Sequence, residues 1–184
     1  MADVSGHGLP AAILVSLLKS YIHTEAANDK SLAEFMARLN DFLFSVSLPT
    51  QFATAAPFRV DADRELVYAN AAHPPFLLHQ RQSGKTILLE QPSNLLGAMP
   101  KMQFEECRIK VEPGDTLFVY TDGLTDRVNG DGEFYSIDRV AAVLDRNGEA
   151  GVGAVYDAFY ADVSAFAATE EFKDDIAFVL TRFH

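Results

Sequence analysis

The sequence has a single cysteine, Cys107, so no internal disulfide can form and a reducing cytoplasm is the expected setting. Basic charge is scarce: 15 Lys and Arg stand against 26 Asp and Glu, a formal net charge of −11. Nucleic acid and anionic membrane surfaces are gripped by basic patches, so neither is an expected partner. There is no long hydrophobic run either. The most apolar stretch, residues 9–18, is interrupted by Ser16 and followed by Lys19, too short to span a bilayer. Asp3 and His7 sit where a basic n-region would lie, so a signal peptide is not expected. No repeat, low-complexity run or Pro/Gly/Ser linker divides the chain. No G-x-x-x-x-G-K-S/T phosphate loop is present, which argues against a P-loop ATPase. What remains is 184 residues with 48% hydrophobic content, enough for one compact acidic domain with a sizeable core.

The hydrophobic pattern sets out the elements. Residues 1–4 read as the end of a strand, and Ser5-Gly6-His7-Gly8 turns the chain into a helix with Pro10 in its first turn. Nearly every residue from 9 to 22 is apolar, which predicts a helix buried on most sides. Ser31-Leu32-Ala33-Glu34 has the form of a capping box, and Leu32, Phe35, Met36, Leu39, Phe42, Leu43 and Val46 follow at helical spacing. Strands come next, with residues 52–60 and 65–71 as one hairpin and 76–79 and 86–89 as another. A strand at 104–111 ends at the turn pair Pro113-Gly114, and residues 116–120, apolar on both faces, predict a central strand. Helices around 137–144 and 152–166 precede a final buried strand at 176–180. Helices, then antiparallel strands, then helices and a closing strand predict an α+β layered domain, not a doubly wound parallel sheet.

The chemistry-bearing residues are carboxylates where apolar strands meet loops. Asp3 precedes the Ser5-Gly6-His7-Gly8 turn, Asp122 ends the most apolar strand beside Gly123, and Asp174-Asp175 lead into the last strand. If the sheet brings these ends together, the carboxylates raise one another's pKa and need cations to stay ionised. Oxygen-only ligands favour Mg²⁺ or Mn²⁺ over zinc, and two such ions roughly 3.5–4 Å apart clamp a phosphoryl group for in-line attack. Each acid alone has a plainer reading: Asp3 as a helix cap, Asp122 as a turn former, Asp174-Asp175 as solvated charge. Recurrence at three separate places favours the metal site, and the residues alone leave both readings open. His7 is either a proton donor and acceptor or a turn residue. Arg127 stands at the first ligand position of the calcium-loop register through Asn129, Asp131 and Gly132, which disqualifies it. His73-Pro74-Pro75 reads as a rigid turn. Cys107, without a His/Asn constellation, is not expected to be a nucleophile.

Five motifs then occur in order across nearly the whole chain: Asp3-Val4-Ser5-Gly6-His7-Gly8-Leu9-Pro10-Ala11-Ala12, Tyr68-Ala69-Asn70-Ala71-Ala72-His73-Pro74-Pro75, Pro113-Gly114-Asp115, Tyr120-Thr121-Asp122-Gly123 and Asp174-Asp175-Ile176. Together they resemble the bacterial SpoIIE/RsbU-type branch of the metal-dependent protein phosphatases, the PPM or protein phosphatase 2C-like family. The resemblance implies a four-layer α-β-β-α sandwich of two mostly antiparallel sheets flanked by helices, with two Mn²⁺ or Mg²⁺ ions at the sheet ends. It implies that Asp3 bridges both ions, that the Val4 carbonyl ligates one, and that Asp122 and Asp174 supply further oxygens, with Asp175 an additional candidate. A metal-bound water then attacks the phosphorus of a phosphoserine or phosphothreonine.

In this branch the usual substrate is a phosphorylated anti-sigma factor antagonist of the STAS type, and an upstream receiver, PAS or GAF module commonly drives the domain. The two helices after Asp3 resemble an element that moves to switch metal binding on. Family members carry an upstream strand pair with a Gly-Gly-Asp motif and another metal-site acid. Residues 1–184 are therefore expected to be the C-terminal part of a longer regulatory protein, with that first strand pair outside them. Ala177 stands where Thr or Ser is usual and Ala72 where Gly is common. The general-acid His of eukaryotic relatives aligns near Ser5, which makes His7 its candidate substitute. The leading expectation is a Mn²⁺- or Mg²⁺-dependent phosphoserine/phosphothreonine phosphatase in bacterial signalling. The alternatives are a catalytically silent phosphatase-like module that binds a regulatory partner or forms a homodimer, and a metal-free scaffold.

Overall fold

A computed structural model of the protein describes residues 1–26, 31–48, 50–167 and 175–184. The chain packs as two compact units, one from residues 1–73 and 91–110, the other from residues 74–90 and 111–184.

In the first unit, β1 (Ala2–Val4) leads into α1 (Gly8–Glu25) and α2 (Leu32–Val46). The core joins Leu14 and Leu18 of α1 to Phe35, Met36, Leu39 and Leu43 of α2, over Ala53 and Ala55 of β2 (Ala53–Ala55). Strand β2 pairs antiparallel with β1. The expected apolar helix forms, but its burial is one-sided. Ala11, Leu14 and Leu18 are buried, whereas Leu9, Ile13 and Val15 are 74%, 53% and 47% exposed. Spacings of three and four put the buried three on a single stripe, and only that stripe meets the packing layer of this unit.

The α2 N-terminus forms at the expected cap, where the Ser31 hydroxyl accepts from the Glu34 N–H at 3.3 Å. A second acid arrives from afar. Glu106 accepts from the Leu32 N–H at 2.8 Å and from the Ser31 hydroxyl at 3.2 Å, placing negative charge at the positive end of the helix. Burial works against that charge, but bonds from Arg108, Leu32 and Ser31 outweigh it and hold the Glu106 carboxyl below its ordinary range.

The strand expected over residues 52–60 is two strands. The chain pairs with β1 through β2, breaks at Ala56-Pro57, and pairs as β3 (Phe58–Val60) with β4 (Glu65–Tyr68). Strand β7 (Cys107–Lys110) lies on the other side of β4, giving the order β3-β4-β7.

The second unit holds β5 (Phe76–Gln80), β6 (Lys85–Leu89), β8 (Thr116–Tyr120) and β9 (Phe178–Arg182), in the order β6-β5-β8-β9. Every residue of β8 is buried, as a central strand requires. It follows the Pro113-Gly114 turn, where Gly114 takes φ +97° and the Asp115 N–H donates to the Glu112 carbonyl at 3.0 Å. Helices α3 (Ile137–Asn147) and α4 (Val152–Phe166) cover one face of this sheet, with Phe118 of β8 stacked on Phe159 at 4.6 Å. The closing strand starts at Phe178, two residues later than expected, and is half-buried, because β9 is an edge strand with a neighbour on one side only.

Every strand pairing among the described residues is antiparallel. The fold class is α+β, with antiparallel sheets flanked by helices, as the element order predicts. No helix among the described residues is long and apolar enough to cross a membrane.

Candidate metal centre

Asp3 is the middle residue of β1, not a helix cap; the residue at the N-cap of α1 is His7. Alternation along β1 sends Ala2 and Val4 toward the α1–α2 core and Asp3 to the opposite face, where it stands half-buried across from Thr54 of β2. The ladder also orients Val4. Met1 pairs with Ala56 and Ser5 with Phe52 through backbone bonds, so the antiparallel alternation points the Val4 carbonyl away from β2. The turn that follows is anchored at Ser5, whose N–H donates to the Phe52 carbonyl and whose hydroxyl accepts from the Phe52 N–H, each at 2.9 Å. Gly6 and Gly8 take φ +88° and +75°, a region that costs an L side chain energy. Between them His7 is exposed, with φ −142°.

In the second unit, β8 and β9 bring Asp122 and Asp175 to one end of the sheet. Thr121 ties that end together: its N–H donates to the Ala177 carbonyl at 2.9 Å, and its hydroxyl accepts from the Ala177 N–H at 3.0 Å. Both Asp122 and Asp175 are exposed there. The Asp122 carbonyl receives the Asp126 N–H at 2.8 Å and the Thr125 hydroxyl at 3.2 Å, so its backbone builds the tight turn after β8. Asp174 lies outside the described residues. Among the described residues no group of three or more His, Cys, Asp or Glu side chains stands together to hold a metal ion. The donors that are described are carboxylate and backbone carbonyl oxygens, a set that fits a hard divalent cation in kind.

Two residues that looked inert from sequence do different jobs. Cys107 faces Tyr68 across β4 and β7; burial and the neighbouring thiol push the Tyr68 hydroxyl up to about 12. His73, read as a turn residue, is buried, and its Nδ1 lies 2.8 Å from Thr54 Oγ1, beside Asp3 in register. Thr54 belongs to no motif in the sequence; in β2 it is the half-buried residue between the buried Ala53 and Ala55. The rejected calcium loop is an Asn-centred turn, in which Asn129 Oδ1 accepts from the Asp131 and Glu133 N–H groups at 3.0 and 2.9 Å.

The family model described as Stage II sporulation protein E (SpoIIE) matches residues 1–184. The chain belongs to the SpoIIE family. Among curated proteins it is similar to phosphoserine phosphatase RsbU of Bacillus subtilis, 24% identical over 127 residues, which cover 68% of this chain and 38% of RsbU. The chain thus spans well under half the length of that relative. Among solved structures, the SiaA-PP2C domain of Pseudomonas aeruginosa superposes with a TM-score of 0.87 at 23% identity, covering all of this chain and 74% of that one. The RsbU and RsbW domains of Rv1364c from Mycobacterium tuberculosis give a TM-score of 0.79 at 22% identity, covering 98% of this chain and 50% of that one. These similarities establish the protein phosphatase 2C-type fold for this SpoIIE-family chain.

Proposed function

We propose that the chain is the catalytic domain of a Mn²⁺- or Mg²⁺-dependent phosphoserine/phosphothreonine protein phosphatase in bacterial signalling. The observation that carries this reading is the SpoIIE family match across residues 1–184. In it, Asp3, the Val4 carbonyl, Asp122, Asp174 and Asp175 hold the ions. Bound there, two hard divalent cations supply positive charge for the phosphoryl oxygens and lower the pKa of water. The chain's own residues set the geometry: β1 presents Asp3 on its core-averted face, and Thr121 joins the ends of β8 and β9 that carry Asp122 and Asp175. His7, exposed in the turn after β1, is the group proposed to exchange a proton with the leaving serine or threonine oxygen.

The finer reading is a phosphorylated STAS-type anti-sigma factor antagonist as substrate, with a receiver, PAS or GAF module upstream in a longer parent protein. RsbU, described as a phosphoserine phosphatase, supports the phosphoserine part of it. Calorimetric titration with Mn²⁺ tests the site. The expected result is two-ion binding by the chain, weakened at least about tenfold in Asp122→Asn with its circular dichroism unchanged. Absence of binding by the unaltered chain decides for the alternative, a phosphatase-like module that engages a partner without turnover.

A further inference from the structure

Asp3 of β1 and Thr54 of β2 are directly opposed in register on the face turned away from the α1–α2 core. Side chains so paired in an antiparallel ladder stand about 5 Å apart. Behind Thr54 the structure holds a tightly fixed imidazole. His73 is 5% exposed and Asn70 4%; the Asn70 side chain donates to the His73 carbonyl at 2.9 Å and accepts from the His73 N–H at 2.8 Å. Asn70 is held in turn, because its carbonyl accepts from the Ser93 hydroxyl, which accepts from the Ala72 N–H at 3.2 Å. The last contact in the chain is His73 Nδ1 to Thr54 Oγ1 at 2.8 Å. The Asn70 side chain thus fixes the His73 backbone, and the buried His73 ring alone reaches the strand residue Thr54.

We infer that His73 and Thr54 are positioning residues for Asp3. A hydroxyl carries one hydrogen. When His73 Nδ1–H donates to Thr54 Oγ1, that hydrogen is directed onward, and the acceptor opposite it on the same face is the Asp3 carboxylate. In the metal-bound state that hydrogen would hold one Asp3 oxygen while the other faces the cation; the structure itself supplies the register of Asp3 with Thr54 and the Thr54–His73 contact. The inference rests on the reading of Asp3 as a metal ligand.

Mn²⁺ affinity of the full chain, measured by calorimetry, tests it with four variants. Thr54→Val and His73→Phe weaken Mn²⁺ binding about 10–100-fold, the usual effect of removing a group that orients a ligand. Thr54→Ser, which keeps the hydroxyl, restores affinity to within about threefold, and the metal-free Val and Ser variants melt within about 3 °C of each other, which a purely structural role would not produce. Thr54→Val that binds Mn²⁺ as tightly as the unaltered chain overturns the positioning role. The control is Asp3→Asn. If it loses binding while Thr54→Val does not, only the present inference fails; if it binds normally, or the unaltered chain binds no Mn²⁺, the metal-site reading fails with it.

Discussion

Ala72 holds φ at +49°, in the left-handed region where an L side chain crowds its own backbone, and its N–H is committed to Ser93. The resemblance to SpoIIE/RsbU-type sequences implies Gly at this position, and the backbone angle is one that Gly adopts without strain. Ala72→Gly is expected to raise stability by about 1 kcal/mol, since relief of the strain exceeds the entropy that Gly adds to the unfolded chain; urea unfolding midpoints check it. An unchanged or lower midpoint contradicts the strain argument. Residues of this kind differ in how far the sequence reveals them. Asp3 and Asp122 are conspicuous because each is a lone carboxylate abutting an apolar run. Thr54 and His73 are quiet. Thr54 comes opposite Asp3 only through the register of β1 with β2, a pairing of segments far apart in the chain that neither spacing nor composition encodes.

Helix α1 shows what periodicity can and cannot convey at the next scale. Its existence and start follow from Gly8, Pro10 and the run behind them, yet an all-round apolar composition overstates its burial. The contact stripe decides the energetics. Leu14→Ala is expected to cost about 2–5 kcal/mol by opening a cavity, whereas Ile13→Ala, 53% exposed in the unaltered chain, stays within about 0.5 kcal/mol. Equal losses in chemical denaturation would put the packing stripe elsewhere on the helix. The split of residues 52–60 was equally hidden, because Pro57 is compatible with a strand start and only the change of partner from β1 to β4 reveals the break.

Helices α3 and α4 are joined through Asp162, which accepts from the Tyr135 hydroxyl and from Arg139 Nε, each at 2.7 Å. Burial opposes the Asp162 charge, but the bonds from Arg139 and Tyr135 prevail and lower its pKa below the ordinary 3.8. The clamp therefore contributes stability above that value and loses it as pH falls through the lower folded-state value. Asp162→Asn is expected to cost about 1 kcal/mol at neutral pH, a modest figure because Arg139 is 40% exposed and water screens the pair. The gap between variant and unaltered chain should narrow as pH falls below about 4. A gap that stays constant as pH falls through that range contradicts an ionic origin.

For the molecule as a whole, the order of helices, antiparallel strands and closing strand was enough to give the α+β class, and five ordered motifs pointed to the family that residues 1–184 match. The sequence left open whether Asp122 and Asp175 share a sheet end; the antiparallel pairing of β8 with β9 puts them there. The decisive measurement is phosphate release from a phosphoserine peptide by the chain with Mn²⁺, with chelator, and in Asp122→Asn. The account predicts turnover with Mn²⁺, loss on chelation with recovery on re-addition, and at least about a 100-fold loss in the variant. Turnover that survives both the chelator and the substitution would contradict it.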